Sequence, residues 1–545
     1  MLAPGAPRAK TLLPHFTERG SYKALERPPG VPDDGELEQR GAVIGRIIVR
    51  NNNIFDTDNP DENTVLFRLG NRLHIRTREA TIRDRLLFHP GDRYRGRTLA
   101  ETERLLREAP QLYDARVRPI AWHNGVVDIE VRTRDVWTLN PGISFGRAGG
   151  KNSGGIELEE RNLLGLGTEL QLAYKSSVDR DSIRVNYHDS NVGSSWWDLN
   201  LTYADNSDGQ ARDFSLQQPF YAFDTRRSMG GSIGDGRRIE SRYDLGEIVD
   251  QFEVESRGAR LFLGWSDGLR DGWVTRLTVG LSFEHDRFNP VAGKYPTRTL
   301  PAERKLAYPW IAWERRQEKF RKDRNRDQIR RTEDLSLGWR MDAMLGLAIP
   351  SLGADRNAWI FSAAVEKGFD LTPRQTLLLS ADVDGRVEHG SGRDIRLSQS
   401  LRYYFRQSFH RLTFLSLESS VDVDPDADRQ LLLGGDNGLR GYPLRYQGGE
   451  GYWLLTAEQR LYTNWYPFRL FNIGAAIFAD AGAAWGDNPF GSKPQGLLRD
   501  VGFGLRLGNS RSALGQIIHV DFAFPLDGGD DISRFQFLVT TKKSF

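Results

Sequence analysis

From about residue 138 to its C-terminus the chain alternates apolar and polar side chains with a period of two, and no other feature narrows its fold so sharply. At the C-terminal end Phe535, Phe537, Val539 and Phe545 fall on one face of a strand, and Gln536, Thr540, Lys542 and Ser544 on the other. Upstream, Leu277, Val279, Leu281 and Phe283 alternate with Arg276, Thr278, Ser282 and Glu284. Leu377, Leu379, Ala381 and Val383 alternate with Ser380, Asp382, Asp384 and Arg386, and Ile395, Leu397, Leu401, Tyr403 and Phe405 with Asp394, Arg396, Ser398, Ser400 and Arg402. Faces this charged are costly in the dry core of a soluble sandwich but cost little against a water-filled lumen. The pattern therefore predicts an all-β transmembrane antiparallel β-barrel, and its segments number about twenty.

Composition agrees once the barrel is considered. Charged residues make up 27% of the chain and the mean hydropathy is −0.54, which reads as soluble. No uncharged apolar run reaches the length of about 18 residues that a spanning helix needs. A barrel escapes that test, because only alternate residues meet lipid. A formal net charge of +2 excludes an overall electrostatic drive toward nucleic acid. The absence of cysteine excludes disulfides and thiolate metal sites, and suits passage through an oxidising compartment. The nine histidines show no paired-ligand spacing, so neither metal nor cofactor is expected. The first residues lack an apolar core, so a signal peptide is expected to have been removed or never to have been present.

Residues 1–40 carry Pro4, Pro7, Pro14, Pro28, Pro29 and Pro32 without apolar periodicity and read as a linker. Residues 41–136 change character. A strand over 42–49, helices over 78–88 and 99–108, and strands over 115–122 and 126–133 joined at Asn124-Gly125 predict a small α/β module. Its helices should cover one face of a three-stranded sheet, with the barrel occupying 137–545. Short turns at 372–374 and 408–410 should alternate with longer polar loops at 205–212 and 388–393, as in an outer-membrane barrel.

The densest signal is the glycine-rich stretch 432–451, which isolates Arg440 as its one strongly charged tip. Two carboxylates follow at strand parity. Leu455, Ala457 and Leu461 turn one face of a strand to lipid and leave Glu458 and Arg460 inside. Ile473, Ala475, Ile477 and Ala479 do the same for the next strand and leave Phe478 and Asp480 inside. A guanidinium can hold such carboxylates bidentately and tie an inward loop to the wall. The alternative at this point is a solvated loop arginine near lumen charges.

Leu439-Arg440-Gly441-Tyr442 resembles the arginine-glycine-aromatic motif of the sixth outer loop in the BamA/TamA outer-membrane insertase superfamily, which includes two-partner secretion transporters. Phe478-Ala479-Asp480-Ala481-Gly482 and Glu458-Gln459-Arg460 resemble strands of that family, and Arg161-Asn162-Leu163-Leu164-Gly165-Leu166-Gly167 resembles its early turn. Gly91-Asp92 and Leu99-Ala100-Glu101-Thr102-Glu103-Arg104-Leu105-Leu106 resemble the centre of a POTRA domain. The resemblance implies sixteen barrel strands, fewer than the segment count. It also implies one POTRA in the periplasm of a bacterium, with a mitochondrial relative as the alternative. Arg440 would lock its loop to Glu458, Phe478, Asp480 and Gly482. A seam would lie between a first strand at 138–147, loosened by Gly142 and Gly146, and a last strand carrying Phe537 and Phe545.

The function implied is insertion or translocation of polypeptide, not catalysis. A secretion transporter for one dedicated client and a passive plugged pore are the alternatives. Implied partners are outer-membrane lipid or lipopolysaccharide and an unfolded barrel or secreted client, with periplasmic chaperones as further candidates and no nucleic acid. The chain departs from the family pattern in its single POTRA, in Lys543 near the terminus and in a last strand without glycine.

Three further motifs carry weaker expectations. Gly230-Gly231-Ser232-Ile233-Gly234 fits a nucleophile elbow, but no helix follows it. Asp422, Asp424, Asp426 and Asp428 imitate a calcium loop in which Ala427 and Leu433 replace the required Gly and Glu. A solvated acidic loop is the expectation, with loose divalent-ion or lipopolysaccharide contact as the alternative. The basic stretch 315–331 should be a solvated extension or turn, with anionic lipid contact as the alternative.

Overall fold

In a computed structural model, which describes residues 27–492, 494, 496–512, 517–529 and 531–542, the alternating region closes into one antiparallel barrel. The barrel has twenty strands, each paired with its neighbours in sequence and the last with the first. Sixteen, the number implied by resemblance, is therefore wrong, and the segment count holds. The reason is physical: every spanning segment must separate lipid from lumen, so alternation counts strands directly, whereas the motifs mark only a few of them.

Register turns the alternation into two surfaces. Leu261 pairs with Leu281, Val279 with Ile311 and Ile311 with Leu345, and all five side chains are exposed on the lipid-facing wall. One position on, Arg260 stacks over Trp310, which donates to Ser282 inside the lumen. The Gly230–Gly234 stretch lies within the strand Arg227–Asp244, with no helix after it.

Loop lengths differ from expectation. Residues 205–212 form a tight hairpin, with strands ending at Asn206 and restarting at Gly209. Residues 388–393 do the same through His389 and Gly390, both at positive φ (52° and 83°) as a two-residue hairpin requires. Their polar side chains belong to strand ends. Two of the long connections face opposite ends of the barrel: residues 424–450 at the far end, and 318–339 at the end next to the N-terminal module.

That module begins inside the segment read as linker. The helix Asp34–Gln39, capped by Asp33, buries Leu37 completely. The strand Val43–Asn52 pairs in parallel with Val126–Asp135, which pairs antiparallel with Leu112–His123. Asn124 and Gly125 turn the hairpin at φ 51° and 80°. The helices Glu79–Arg83 and Gly96–Glu108 contribute Ile82, Leu99 and Leu106 to a core shared with Ile44, Val127 and Ile129. A further helix, Val65–Leu73, has no counterpart in the sequence reading. Within 1–40, residues 1–26 lie outside the described residues, as do Lys543, Ser544 and Phe545 at the other end.

Candidate functional site

The connection 424–450 folds back into the lumen. Leu433, Leu439, Tyr442 and Tyr446 pack with Leu454, Leu498 and Ile532, which brings the turn around Gly434 onto the barrel wall. Gly441 approaches so closely that a Cβ there would lie 2.7 Å from the Cβ of Asp500. Its N–H donates to the Asp500 carboxylate at 3.0 Å. The neighbouring Arg440 is thereby aimed into the wall.

Arg440 donates from Nε and Nη2 to Asp480 at 2.7 and 2.9 Å, and from Nη1 to Glu458 at 2.8 Å. Its guanidinium carbon sits 3.4 Å from the centroid of the Phe478 ring. Only 6% of the residue is exposed, so these partners replace its water. Thr456 donates to Asp480 at 2.9 Å, and Arg460 to Glu458 at 2.9 Å, fixing both carboxylates from behind. Tyr442 donates to the Arg499 carbonyl at 2.7 Å and accepts from the Arg499 N–H at 3.0 Å. Burial pushes its phenol up to about 12, so it acts as a neutral hydroxyl. Gly482 makes no bond to Arg440. It supplies clearance, because a Cβ there would lie 2.8 Å from the Trp453 carbonyl and 3.2 Å from Leu433.

The acidic run preceding this turn is not a solvated loop. Arg396 grips Asp422 with two bonds of 2.7 Å, Arg393 reaches Asp424 at 2.7 Å, and Arg386 holds Asp426 at 2.8 and 2.9 Å. Arg304 pairs with Asp426 and reaches Asp428 at 3.2 Å. Asp424, Asp426 and Asp428 thus strap the loop to arginines of three strands, while Asp422 ties the end of its own strand to the neighbouring one. Among the described residues, no cluster of three or more His, Asp or Glu is arranged to hold a metal ion.

The basic stretch 315–331 departs furthest from expectation. It opens the connection 318–339, which folds into the lumen as a plug built on the paired strands Phe320–Asp323 and Glu333–Ser336. Ile329 is buried with Tyr404, Leu412, Phe414, Tyr462 and Ala476. Arg326 stacks 4.4 Å from the Tyr404 ring and bonds Asp323 at 2.7 Å. Its carbonyl accepts from Arg460 at 2.9 Å and from Tyr462 at 2.7 Å.

The stretch fails to be a solvated turn because Arg326 and Ile329 find buried partners on strands far away in sequence, the Tyr404 ring, Arg460 and Tyr462. On the module side, Arg107 of the helix Gly96–Glu108 donates to Asp334 at 2.7 and 2.6 Å, and Lys322 pairs with Glu103. Burial opposes the charge on Glu103, but Lys322 and Arg107 outweigh it and hold the carboxyl below its usual value. Arg460, noted in the sequence only for its inward parity, therefore joins loop and plug through Glu458 on one side and Arg326 on the other.

The seam contrasts with this wall. Among the described residues, the first strand, Leu139–Ala148, meets the last, Gln536–Lys542, at one register pair, Arg147 with Val539. The first strand shares ten such pairs with its other neighbour. Gly142 and Gly146 serve that second contact: Cβ atoms there would lie 2.9 Å from Glu157 and 2.6 Å from Ser153. Gly146 also lies near the seam, 3.4 Å from the Val539 carbonyl by the same measure. Phe537 packs against Phe522 at 5.2 Å on the other side of its strand. Phe545 lies outside the described residues.

Comparison with known proteins follows this geometry. Among solved structures, the chain is similar to BamA from Haemophilus ducreyi lacking POTRA domains 1-3, at 14% identity over 92% of this chain and 85% of that one, with a TM-score of 0.39. It is also similar to CdiB from Acinetobacter baumannii, at 13% identity, 93% and 74% coverage and a TM-score of 0.44. CdiB from Escherichia coli gives 14% identity, 92% and 76% coverage and a TM-score of 0.47. No curated protein matches the chain in sequence. The Omp85 superfamily domain matches residues 162–542, which is most of the barrel, and the chain belongs to the Omp85 superfamily.

Proposed function

We propose that this protein inserts polypeptide into, or translocates it across, the bacterial outer membrane by opening its seam, with the POTRA-like module in the periplasm. Its superfamily makes it an outer-membrane barrel of the insertase and translocator class. The observation that carries the specific reading is the contrast, among the described residues, between one register pair at the seam and ten at the adjoining hairpin. An edge paired this sparsely among those residues, at membrane depth, offers backbone groups that an incoming strand takes up. The module offers a second template in its edge strands, Val43–Asn52, beyond the end already paired with residues 91–94, and Leu112–His123. Arg440, Glu458, Phe478 and Asp480 act here as the lock that keeps the loop on the wall while the seam moves. No chemical step is required of any of them.

The plug favours one second reading, a secretion transporter for a dedicated client. A plug pinned to the module is suited to a pore that opens on client arrival, and it argues against a passive open channel. Vesicles holding the protein should speed the insertion of a urea-unfolded barrel client, measured by its resistance to added protease. A large, steady conductance with no acceleration would sink the insertase reading. Passage of a soluble client into the vesicle lumen would replace it with the transporter.

A further inference from the structure

The helix Val65–Leu73 presents its apolar face outward. Val65 is 74% exposed, Leu66 69%, Leu69 48% and Leu73 64%, and on a helical wheel the four fall within about 100° of arc. Phe67 alone is buried, on the opposite side, stacked on Phe55 at 4.2 Å. Arg68 and Arg72 flank the apolar face, and the helix carries no acidic residue. A helix of this kind inside a soluble domain normally turns its apolar stripe to the core. Here the four-residue apolar stripe faces away from the module's core.

Its tethers show where that face lies. At one end the cluster of Ile54, Phe55 and Phe67 packs with Trp137, just before the first barrel strand, and with Leu470, in the connection after the strand Gly451–Tyr462. Arg511, just after the strand Leu498–Asn509, donates to the Ile54 carbonyl and pairs with Glu62. At the other end, Asn162 donates to the Ile75 carbonyl at 3.0 Å, and Arg78 N–H donates to the Gly165 carbonyl at 3.0 Å. The anchoring connections follow strands on either side of the seam, so the helix runs along the barrel rim at the seam's base. The rim continues its apolar face, with Leu164, Leu166, Trp465 and Phe468 all exposed on those same connections.

We propose that Val65–Leu73 is an interfacial helix that lies in the phospholipid surface of the membrane at the foot of the seam. Its four apolar side chains enter the headgroup and acyl boundary, to a depth of roughly 5–10 Å, and Arg68 and Arg72 meet anionic headgroups. The occupant is lipid because the face is continuous with the lipid-facing barrel wall and its flank is basic. The proposal rests on the barrel spanning a bilayer and is independent of how the seam works.

The full chain has no cysteine, so Leu69→Cys can carry a single environment-sensitive fluorophore. Leu261→Cys, on the lipid-facing wall, supplies the bilayer reference. In phosphatidylethanolamine and phosphatidylglycerol vesicles, nitroxide-labelled lipid should quench the probe at 69 to at least half the extent seen at 261, and iodide should not reach it. Adding Leu66→Asp and Leu73→Asp to the labelled chain should abolish that quenching while the barrel keeps its heat-modifiable migration. Quenching by iodide but not by lipid nitroxide, or quenching that survives both aspartates, would overturn the assignment. Shielding that appears only with an unfolded client, or only at high protein density, would give the face to a client or a second copy and overturn it equally. Loss of client insertion with lipid quenching intact would count against the seam mechanism alone.

Discussion

The wall around Arg440 and the seam around Val539 are both strand pairings of one barrel, and they are built to opposite ends. The strands Gly451–Tyr462 and Phe471–Trp485 share twelve register pairs, to which Arg440 adds three charge-assisted bonds. Among the described residues the seam has one pair. Each backbone hydrogen bond contributes about 1 kcal/mol net, so over those residues separating the wall costs roughly an order of magnitude more than separating the seam. The difference shows where the molecule is free to move. Polar ties gather on the arc that carries loop and plug, and strain from an opening seam is absorbed where little is bound.

Locking the seam should erase that contrast and have the largest effect. Arg147→Cys with Val539→Cys joins a position paired across the seam in a chain without other cysteines. Oxidised, it should lose client insertion almost completely; reduced, it should recover. Full activity in the cross-linked protein would mean that the seam stays shut during function. Loosening the wall is the reverse test. Arg440→Ala leaves Asp480 buried without its cation and Glu458 with Arg460 still bound, a loss of about 3–5 kcal/mol. The heat-induced shift in gel migration should move to lower temperature. Arg440→Asp with Asp480→Arg should restore part of it, and an unchanged transition in Arg440→Ala would refute the lock.

The two regions were not equally legible in the sequence. Strand parity alone placed Glu458, Phe478 and Asp480 inside, because a barrel wall gives each residue only two directions to face. Strand number followed from the same rule. Loop length did not, since the charged residues at 205–212 and 388–393 continue their strands in β geometry. The plug was hidden for a different reason: its ties run to Arg107, Tyr404 and Arg460, and no local periodicity encodes contacts that distant. The helix Val65–Leu73 escaped notice because its apolar residues do not point at a core.

The plug divides the wall's rigidity between barrel and module, and cutting the module's share should have a smaller effect than removing Arg440. Arg107→Ala removes both bonds to Asp334, while Ile329 and Arg326 still hold the plug to the lumen. The expected result is intermittent ion conductance through a barrel of normal thermal stability. Conductance identical to that of the parent would show that the module has no hold on the plug.

The smallest effect should be a pH dependence of the plug's docking in the lumen. Glu333 accepts from the Arg326 and Asp327 N–H groups at 3.0 and 2.9 Å. Burial, with nearby Asp327 adding to it, pushes its carboxyl from 4.5 up to about 7. An acid raised on docking favours the docked plug in its protonated form. That contribution is whole below pH 4.5 and is lost as the pH climbs through about 7. Channel openings in Arg107→Ala should therefore become more frequent between about pH 5 and about pH 8, following the loss of that proton. Glu333→Gln, which keeps the side chain neutral throughout, should flatten the curve at its low-pH level. A curve of unchanged slope in the double variant would assign the dependence to another group.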